Sequence, residues 1–121
     1  MAGKLTARGQ AKLSEMAELQ RQLQHVHGLV EQFAAARAGQ DRQAQAARRA
    51  FGRLKLKFMG AGLDPLSQLC GSMEIAAGRG MGQPTKSRIL REGVASLRFQ
   101  LELEERSVVA EETIQPKPDD D

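Results

Sequence analysis

Hydrophobic residues three and four positions apart dominate the first half of the chain. This spacing is typical of an amphipathic α-helix. The polar stretch AAARAGQDRQ, residues 34–43, interrupts the pattern, and Gly39 and Asp41 within it suit a helix end and a helix start. We predict a hairpin with helices at 11–38 and 41–59, and one long helix in a single register is the alternative. The repeating positions are Met16, Leu19, Leu23, Val26, Val30, Phe33, Ala44, Ala47, Phe51, Leu54 and Phe58.

Glycine and proline divide the second half of the chain. GAGLDP, residues 60–65, ends the second helix, with Asp64 as a cap and Pro65 at the first position of a third helix over 65–77. GRGMGQP, residues 78–84, ends that helix in turn. The sequence therefore predicts an all-α fold, a small antiparallel bundle of about four helices.

The fourth predicted helix covers residues 85–110 and has two apolar faces. One face combines Leu90, Val94, Leu97, Leu101 and Val108, and the opposite face combines Phe99, Leu103, Ile89 and Ser96. Two faces imply two packing partners, so we predict an oligomer interface at Phe99, Leu103 and Ile89. A helix buried in the middle of the bundle is the alternative. Residues 97–103 also alternate like a β-strand, but their polar neighbours favour a helix.

Composition and charge define three regions of the chain. The 121 residues include four Phe and no Trp or Tyr, which favours one helical domain over a sheet. Residues 1–10 form a basic, flexible lead-in, 11–110 form the bundle, and 111–121 form a disordered acidic tail. Residues 101–121 carry eight acids against two bases, a net charge of −6, so the first hundred residues carry +9 of the total of +3. This basic body suggests a polyanionic partner, whereas solvation alone is the alternative.

The second predicted helix carries a basic stripe. Between Arg42 and Leu63 there are six basic residues and no acid. Arg42, Arg49, Arg53 and Lys57 would lie roughly opposite the apolar positions of this helix. Like charges four residues apart destabilise an isolated helix, and binding along a phosphate backbone would compensate for this. An acidic protein surface is the competing partner.

A second basic cluster surrounds the Gly-rich turn at residues 78–84. Exposed backbone amides and a helix N-terminus could accept a phosphate there, although neither a P-loop nor a dinucleotide-binding motif is present. We predict nucleic acid, either RNA or DNA, as the partner of both clusters. The predicted contact residues are Arg42, Arg48, Arg49, Arg53, Lys55, Lys57, Arg79, Lys86, Arg88 and Arg91.

The sequence offers no catalytic or metal-binding constellation. His25 and His27 are two residues apart and therefore point to different sides of a helix. Cys70 is the only cysteine, which excludes an intramolecular disulfide and fits a reducing compartment. No signal-peptide pattern or membrane-spanning run is present. We predict a cytoplasmic non-enzyme without cofactor, metal, membrane or small-molecule substrate.

Residues 75–103 resemble a known helical family. IAAGRGMG followed by ILREGVASLRFQLEL is similar to the IAEGxGR and FLxxAxGSLxELxxQL motifs of the four-helix bundles encoded in ribosomal-RNA intervening sequences. A related accessory protein of diversity-generating retroelements is a basic oligomeric bundle, so the resemblance implies binding of nucleic acid and a reverse transcriptase. The matching residues are Ile75, Ala76, Gly78, Gly80, Ser96 and Leu97.

Three alternative interpretations stay open. IAAGRGMGQPTKSRIL also resembles the IAxxxGLxxxTVxRLL helix-turn-helix of bacterial repressors, which implies a recognition helix over 84–97, although Arg79 and Lys86 stand at apolar positions of that motif. Size and basic charge are similar to the small subunits of multisubunit CRISPR effectors. A helical adaptor that associates through the coiled-coil-like face of residues 16–58 would touch no nucleic acid.

Overall fold

The computed structural model describes residues 4–114 of the chain. Its elements are β1 (Lys4–Leu5), α1 (Ala7–Ala35), α2 (Gln40–Gly60), α3 (Asp64–Gly78), α4 (Gln83–Glu112) and β2 (Thr113–Ile114). The predicted all-α class and the four helices are confirmed. The hairpin between the first two helices is also confirmed, and residues 97–103 are helical.

The four helices form a closed ring. Each helix packs against the next one in sequence, and α4 packs against α1, so α2 and α4 lie on a diagonal. Helices α2 and α3 are antiparallel, because Ser67 contacts Lys55 whereas the later Gly78 lies beside the earlier Arg48. Helices α1 and α4 are also antiparallel, because Arg91 contacts Glu31 whereas the later Glu112 contacts the earlier Lys12. Outer faces of α2 and α4 therefore point in opposite directions from the bundle.

The core consists of one inner stripe from each helix. The predicted inner face of α4 is buried throughout, and so are the predicted apolar positions of α1 and α2 from Met16 to Phe58. Phe51 and Phe58 of α2 are the largest fully buried side chains and meet the leucines of the other helices at the centre. The helical period of the sequence therefore determines which side of each helix faces inward.

The first interhelical turn differs from the prediction in detail. Helix α1 ends at Ala35 rather than at residue 38, and Gly39 adopts φ 69° at the N-cap of α2. The α1 end is stabilised from another helix, since Gln83 Nε2 donates to the carbonyls of Phe33 at 2.6 Å and Ala36 at 2.8 Å. Such a cap depends on which loops meet in space, so local sequence does not indicate it.

The expected flexible lead-in over residues 1–10 is corrected for residues 4–10. Helix α1 already begins at Ala7, where Thr6 Oγ1 accepts from Gly9 N at 2.9 Å. Strand β1 pairs antiparallel with β2, and Thr6 N donates to Glu112 O at 2.8 Å. We call the paired segments 4–6 and 112–114 the terminal clasp. Helix α4 ends at Glu112, beyond the predicted end at residue 110. The remainder of the predicted acidic tail, 115–121, lies outside the described residues.

Candidate nucleic-acid interface

The outer face of α2 carries a continuous row of cations. The α2 stripe, defined as Arg42, Arg49, Arg53 and Lys57, is exposed along its whole length. The opposite side of the same helix is buried in the core. Because the apolar positions fix the rotation of α2, the basic positions are forced outward, as the sequence predicted.

Within residues 4–114, no member of the α2 stripe lies within ion-pair distance of an acid. The ion pairs of this part of the chain use other cations: Arg8, Lys12, Arg21, His27, Lys55 and Arg91. The positive charges of the stripe are therefore not neutralised by the described part of the fold.

The stripe ends beside carboxylates of α1. Lys57 borders a shallow depression of about 310 Å³ that Glu15 and Glu18 also line. A hydrogen bond from Gln22, together with Arg21, lowers the pKa of Glu18, and the more distant Lys57 adds to this effect. Glu18 therefore stays ionised beside Lys57, and its negative charge partly offsets the positive charge of Lys57.

Two residues of the predicted contact set, Lys55 and Arg48, reach toward α3. Lys55 Nζ lies 2.9 Å from Glu74 Oε1 in an ion pair that joins α2 to α3, and its role as a nucleic-acid contact stays a prediction. Arg48 is exposed, and its guanidinium lies over Gly78, where an added Cβ would sit 3.3 Å from Arg48 Nε. Arg48 thus extends the basic surface from α2 toward the end of α3.

Lys86 was predicted as a contact but is buried. Only 8% of its surface is exposed. Its Nζ donates to Ala77 O at 3.1 Å and lies 5.7 Å from the ring centroid of Phe33. A cation at the C-terminus of α3 complements the helix dipole and satisfies one of its free carbonyls. Its spacing of four residues from Leu90 and eleven from Leu97 indicates the inner face, which is the sequence pattern that the prediction missed.

Arg91, another predicted nucleic-acid contact, is exposed and paired with a carboxylate of α1. Its Nε and Nη2 donate to the two carboxylate oxygens of Glu31 at 2.7 and 2.8 Å. The hydrogen bonds from Arg91 lower the pKa of Glu31, and the same contact raises the pKa of Arg91. This bidentate pair joins α1 to α4, so its geometry serves the fold.

Both Arg79 and Arg88 are exposed at the end of the bundle where two loops meet. Gln40 Nε2 donates to Gln83 Oε1 at 3.1 Å and thereby joins the starts of α2 and α4. Neither start has a side-chain cap, since Gly39 and Gly82 occupy the N-cap positions. The N-termini of α2 and α4 and the C-termini of α1 and α3 meet at this end, so the helix dipoles offset one another and the positive charge comes from the arginine side chains.

We call the exposed arginines at these loops and helix starts the basic end: Arg37, Arg42, Arg79 and Arg88. Arg37 is not among the predicted contact residues, because it lies in the polar loop between two periodic segments. Arg42 belongs to both the basic end and the α2 stripe. Arg88, eleven residues before Phe99, lies on the outer side of α4 and therefore points away from the α2 stripe. Asp41, in the first turn of α2, is the acid nearest to Arg42 along the chain.

The Cys70 thiol and clustered metal ligands are two further kinds of candidate group. Cys70 is fully buried, and burial, with a smaller contribution from Glu74, raises its thiol pKa to about 12. Such a thiol is unreactive at neutral pH. Across residues 4–114, no group of three His, Cys, Asp or Glu side chains is arranged to hold a metal ion. No helix within that range is long and apolar enough to cross a membrane.

The outer face of α4 carries the predicted oligomer residues, of which the structure exposes two. Phe99 is 60% and Leu103 is 45% exposed. Ile89 is partly buried and packs against the chain's own core, and its role as an interface residue stays a prediction. Ile89 lies about 80° around the helix from Phe99, on the side that faces α3.

Each of the two family resemblances stays a prediction. A four-helix bundle is the fold that the intervening-sequence family implies, but many unrelated proteins share that fold. The helix-turn-helix interpretation places Lys86 in its recognition helix, and this side chain is buried against Ala77 and Phe33. Comparisons of the chain with protein-family models, with curated proteins and with solved structures found no match.

Proposed function

We propose that this protein is a non-enzymatic, basic helical bundle that binds nucleic acid as an accessory or small subunit of a nucleoprotein assembly. The observation that supports the proposal is the pairing pattern of its cations. Exposed arginines of the α2 stripe and the basic end have no acid partner within residues 4–114, whereas the ion-paired cations lie elsewhere. A row of unpaired arginines destabilises the free protein slightly and favours a polyanion.

The dimensions of this surface suit a phosphate backbone. Arg42 and Lys57 are fifteen residues apart on one helix, which corresponds to about 22 Å at 1.5 Å per residue. Phosphates along one strand of a duplex are spaced about 3.4 Å apart along the helix axis, so this length corresponds to roughly six phosphates. Arginine guanidinium groups can contact phosphates through two hydrogen bonds each.

The surface presents positive charge but no aromatic side chain. Three of the four phenylalanines, Phe33, Phe51 and Phe58, are buried, and Phe99 lies on the diagonally opposite helix. Without an aromatic residue beside the arginines, the surface lacks the platform on which single-stranded bases stack. We therefore expect weak, sequence-independent binding, with a Kd of about 10⁻⁴ to 10⁻⁶ M at physiological salt.

Fluorescence anisotropy with mixed-sequence RNA and DNA oligonucleotides, single- and double-stranded, tests the proposal. The decisive variant combines Arg42→Ala, Arg49→Ala and Arg53→Ala. Its matched control combines Arg8→Ala, Arg21→Ala and Arg91→Ala, which removes the same charge from ion-paired positions. Each lost phosphate contact should reduce the slope of log K against log salt by about 0.7 to 0.9, so the stripe variant should lose about 2 to 3 while the control keeps most of its slope.

Three outcomes would contradict the proposal. An equal loss in both variants would assign the binding to net charge rather than to the α2 stripe and the basic end. No binding to any oligonucleotide at about 50 mM salt, where nonspecific binding is strongest, would reject a nucleic-acid partner altogether. Competition by polyglutamate as effective as that by the oligonucleotide would instead favour an acidic protein surface.

A further inference from the structure

The outer side of α4 carries exposed apolar residues, with a negative charge before them and a positive charge after them along the helix. We define the α4 stripe as Glu92, Ala95, Phe99, Leu103 and Arg106, all of which are exposed. These positions follow one another at spacings of three and four residues and therefore share one side of the helix. The inner side of α4 is already buried in the core. The stripe is thus a second packing surface that the described part of the chain leaves uncovered.

Its charges are arranged symmetrically about Phe99. Glu92 precedes Phe99 by seven residues and Arg106 follows it by seven, so each lies about 10.5 Å from the centre along the axis. Neither charge belongs to an ion pair among residues 4–114. The stripe therefore carries one free negative and one free positive charge at equal distances from an exposed aromatic ring.

We propose that the α4 stripe is the interface of an antiparallel, two-fold-symmetric homodimer centred at Phe99. A two-fold axis through this point brings together residues equally far from Phe99 on its opposite sides. Glu92 of one copy then faces Arg106 of the other, twice by symmetry. Ala95 likewise faces Leu103, which places a small side chain against a large one, as in close helix packing.

The same charges exclude the parallel arrangement. A parallel dimer in register would place Glu92 against Glu92 and Arg106 against Arg106, and like charges in direct contact are unfavourable. Charge complementarity thus identifies a second copy of this chain, in antiparallel orientation, as the occupant. One helix from each copy gives a contact at the small end of specific interfaces, so we expect dissociation in the micromolar range.

This dimer would determine where the basic surfaces lie. Because α2 and α4 are diagonal in the bundle, contact through α4 turns the two α2 stripes away from each other. If the proposed function is correct, the dimer presents two polyanion-binding faces on opposite sides and can bridge two strands or two duplexes. The dimer itself does not depend on that function, since its residues lie outside the α2 stripe and the basic end.

Charge reversal tests the arrangement directly. Sedimentation equilibrium of the full chain from about 5 to 500 μM should show a monomer–dimer equilibrium. Glu92→Arg and Arg106→Glu should each weaken the dimer about tenfold at low salt, because each turns two attractive contacts into repulsive ones. The double variant restores opposite charges across the axis, so its dissociation constant should return to within about threefold of the parent.

A second pair of variants separates the interface from the fold. Phe99→Asp should abolish the dimer and retain helicity by circular dichroism, because Phe99 is 60% exposed. Leu56→Asp, a control on α2 at a leucine that is 62% exposed, should leave the dimer intact. A parent that stays monomeric or forms another oligomer, a dimer insensitive to Phe99→Asp, or a double reversal no better than the single ones would each overturn the proposal.

Discussion

Helices α2 and α4 occupy diagonal positions in the bundle and bury equivalent inner stripes, but their outer faces differ. The arginines on the outer face of α2 are positive charges without acid partners in the described structure. The outer face of α4 instead carries a negative charge on one side of Phe99 and a positive charge on the other. A surface of one charge repels its own copy and attracts a polyanion. A surface with opposite charges at equal distances from an apolar centre is complementary to its own copy.

The comparison shows that the core imposes little on the outer faces. Once the inner positions fix the rotation of each helix, the outward positions are free to serve binding. The two faces therefore provide independent evidence about two kinds of partner. Predictions about stability test whether the inner and outer faces are as distinct as the structure indicates.

The largest effect is expected from the inner stripes. Leu54→Ala in α2 and Leu101→Ala in α4 should each lower the free energy of unfolding by about 2 to 5 kcal/mol, since both leucines are fully or almost fully buried. Leu56→Ala and Leu103→Ala are controls on the outer faces and should change it by less than about 0.5 kcal/mol. Urea denaturation at a protein concentration below the dissociation constant of the dimer measures all four, so that dimer formation does not contribute. An equally large loss for Leu103→Ala would show that the outer face of α4 is covered within the monomer.

The next effect concerns glycines that face α3. An added methyl group at Gly93 of α4 would overlap Met73 Sδ and lie 2.7 Å from Met73 Cγ, inside the packed contact. At Gly52 of α2 it would meet Glu74 Oε2 at 2.6 Å, the end of a side chain that can swing away. Gly93→Ala should therefore lower the free energy of unfolding by about 1 to 3 kcal/mol. Gly52→Ala should change it by no more than about 1 kcal/mol, because alanine has the higher helix propensity and Glu74 can move aside.

Thermal unfolding of the two glycine variants tests both helix contacts, α4 with α3 at Gly93 and α2 with α3 at Gly52. A Gly93→Ala protein as stable as the parent would mean that Met73 repacks without cost. The contact between α3 and α4 would then be looser than its geometry indicates. A large loss in Gly52→Ala would instead show that the Lys55–Glu74 ion pair cannot rearrange.

Helix positions and inner faces could be predicted from the sequence because they depend on local spacing. Residues from Met16 to Phe33 and from Ala44 to Phe58 repeat with the helical period, and all of the apolar residues on this pattern are buried. The α2 stripe followed from the same geometry. The exposed state of Phe99 and Leu103 agrees with the second face that the sequence indicated on α4.

Contacts between distant parts of the chain could not be predicted. The terminal clasp joins residues more than a hundred positions apart, and the Gln83 cap of α1 requires two loops to meet. The roles of Lys55 and Arg91 in ion pairs depend on which carboxylate lies on the neighbouring helix. Charge counts along a sequence therefore overestimate the number of cations available to a ligand.

Removing a single charge should change the free energy of unfolding by a smaller amount, upward for Arg53 of α2 and downward for Arg91 of α4. Arg53 has cationic neighbours four residues away on both sides, Arg49 and Lys57. Arg53→Ala should raise the free energy of unfolding by a few tenths of a kcal/mol, about 0.2 to 0.5, because it relieves this repulsion. Arg91→Ala should lower it, since Glu31 loses its bidentate partner. Chemical denaturation at low salt measures both, and a destabilised Arg53→Ala would show that this arginine contributes to the fold.

The smallest effect is expected from acid. Among the described residues, Glu31 and Glu112 on the α1/α4 side and Glu18 beside α2 have lowered pKa values. Hydrogen bonds from Arg91 and from Lys12 lower the pKa values of Glu31 and Glu112 below the ordinary 4.5. Their contribution to stability is therefore complete above that value and is lost as the pH falls through the lowered pKa values of the folded protein.

Thermal unfolding of the parent and of Glu31→Gln between about pH 6 and pH 3 measures this contribution. The variant should be less stable than the parent at pH 6 and should lose less stability on acidification, because it has no carboxylate to protonate at this site. Asp41→Asn in α2 is the matched control, since no ion pair involving Asp41 occurs within residues 4–114, and it should follow the parent. Parallel curves for Glu31→Gln and the parent would mean that the pair with Arg91 does not persist in solution. The distinction between the ion-paired α1/α4 side and the unpaired α2 stripe would then be invalid at this position.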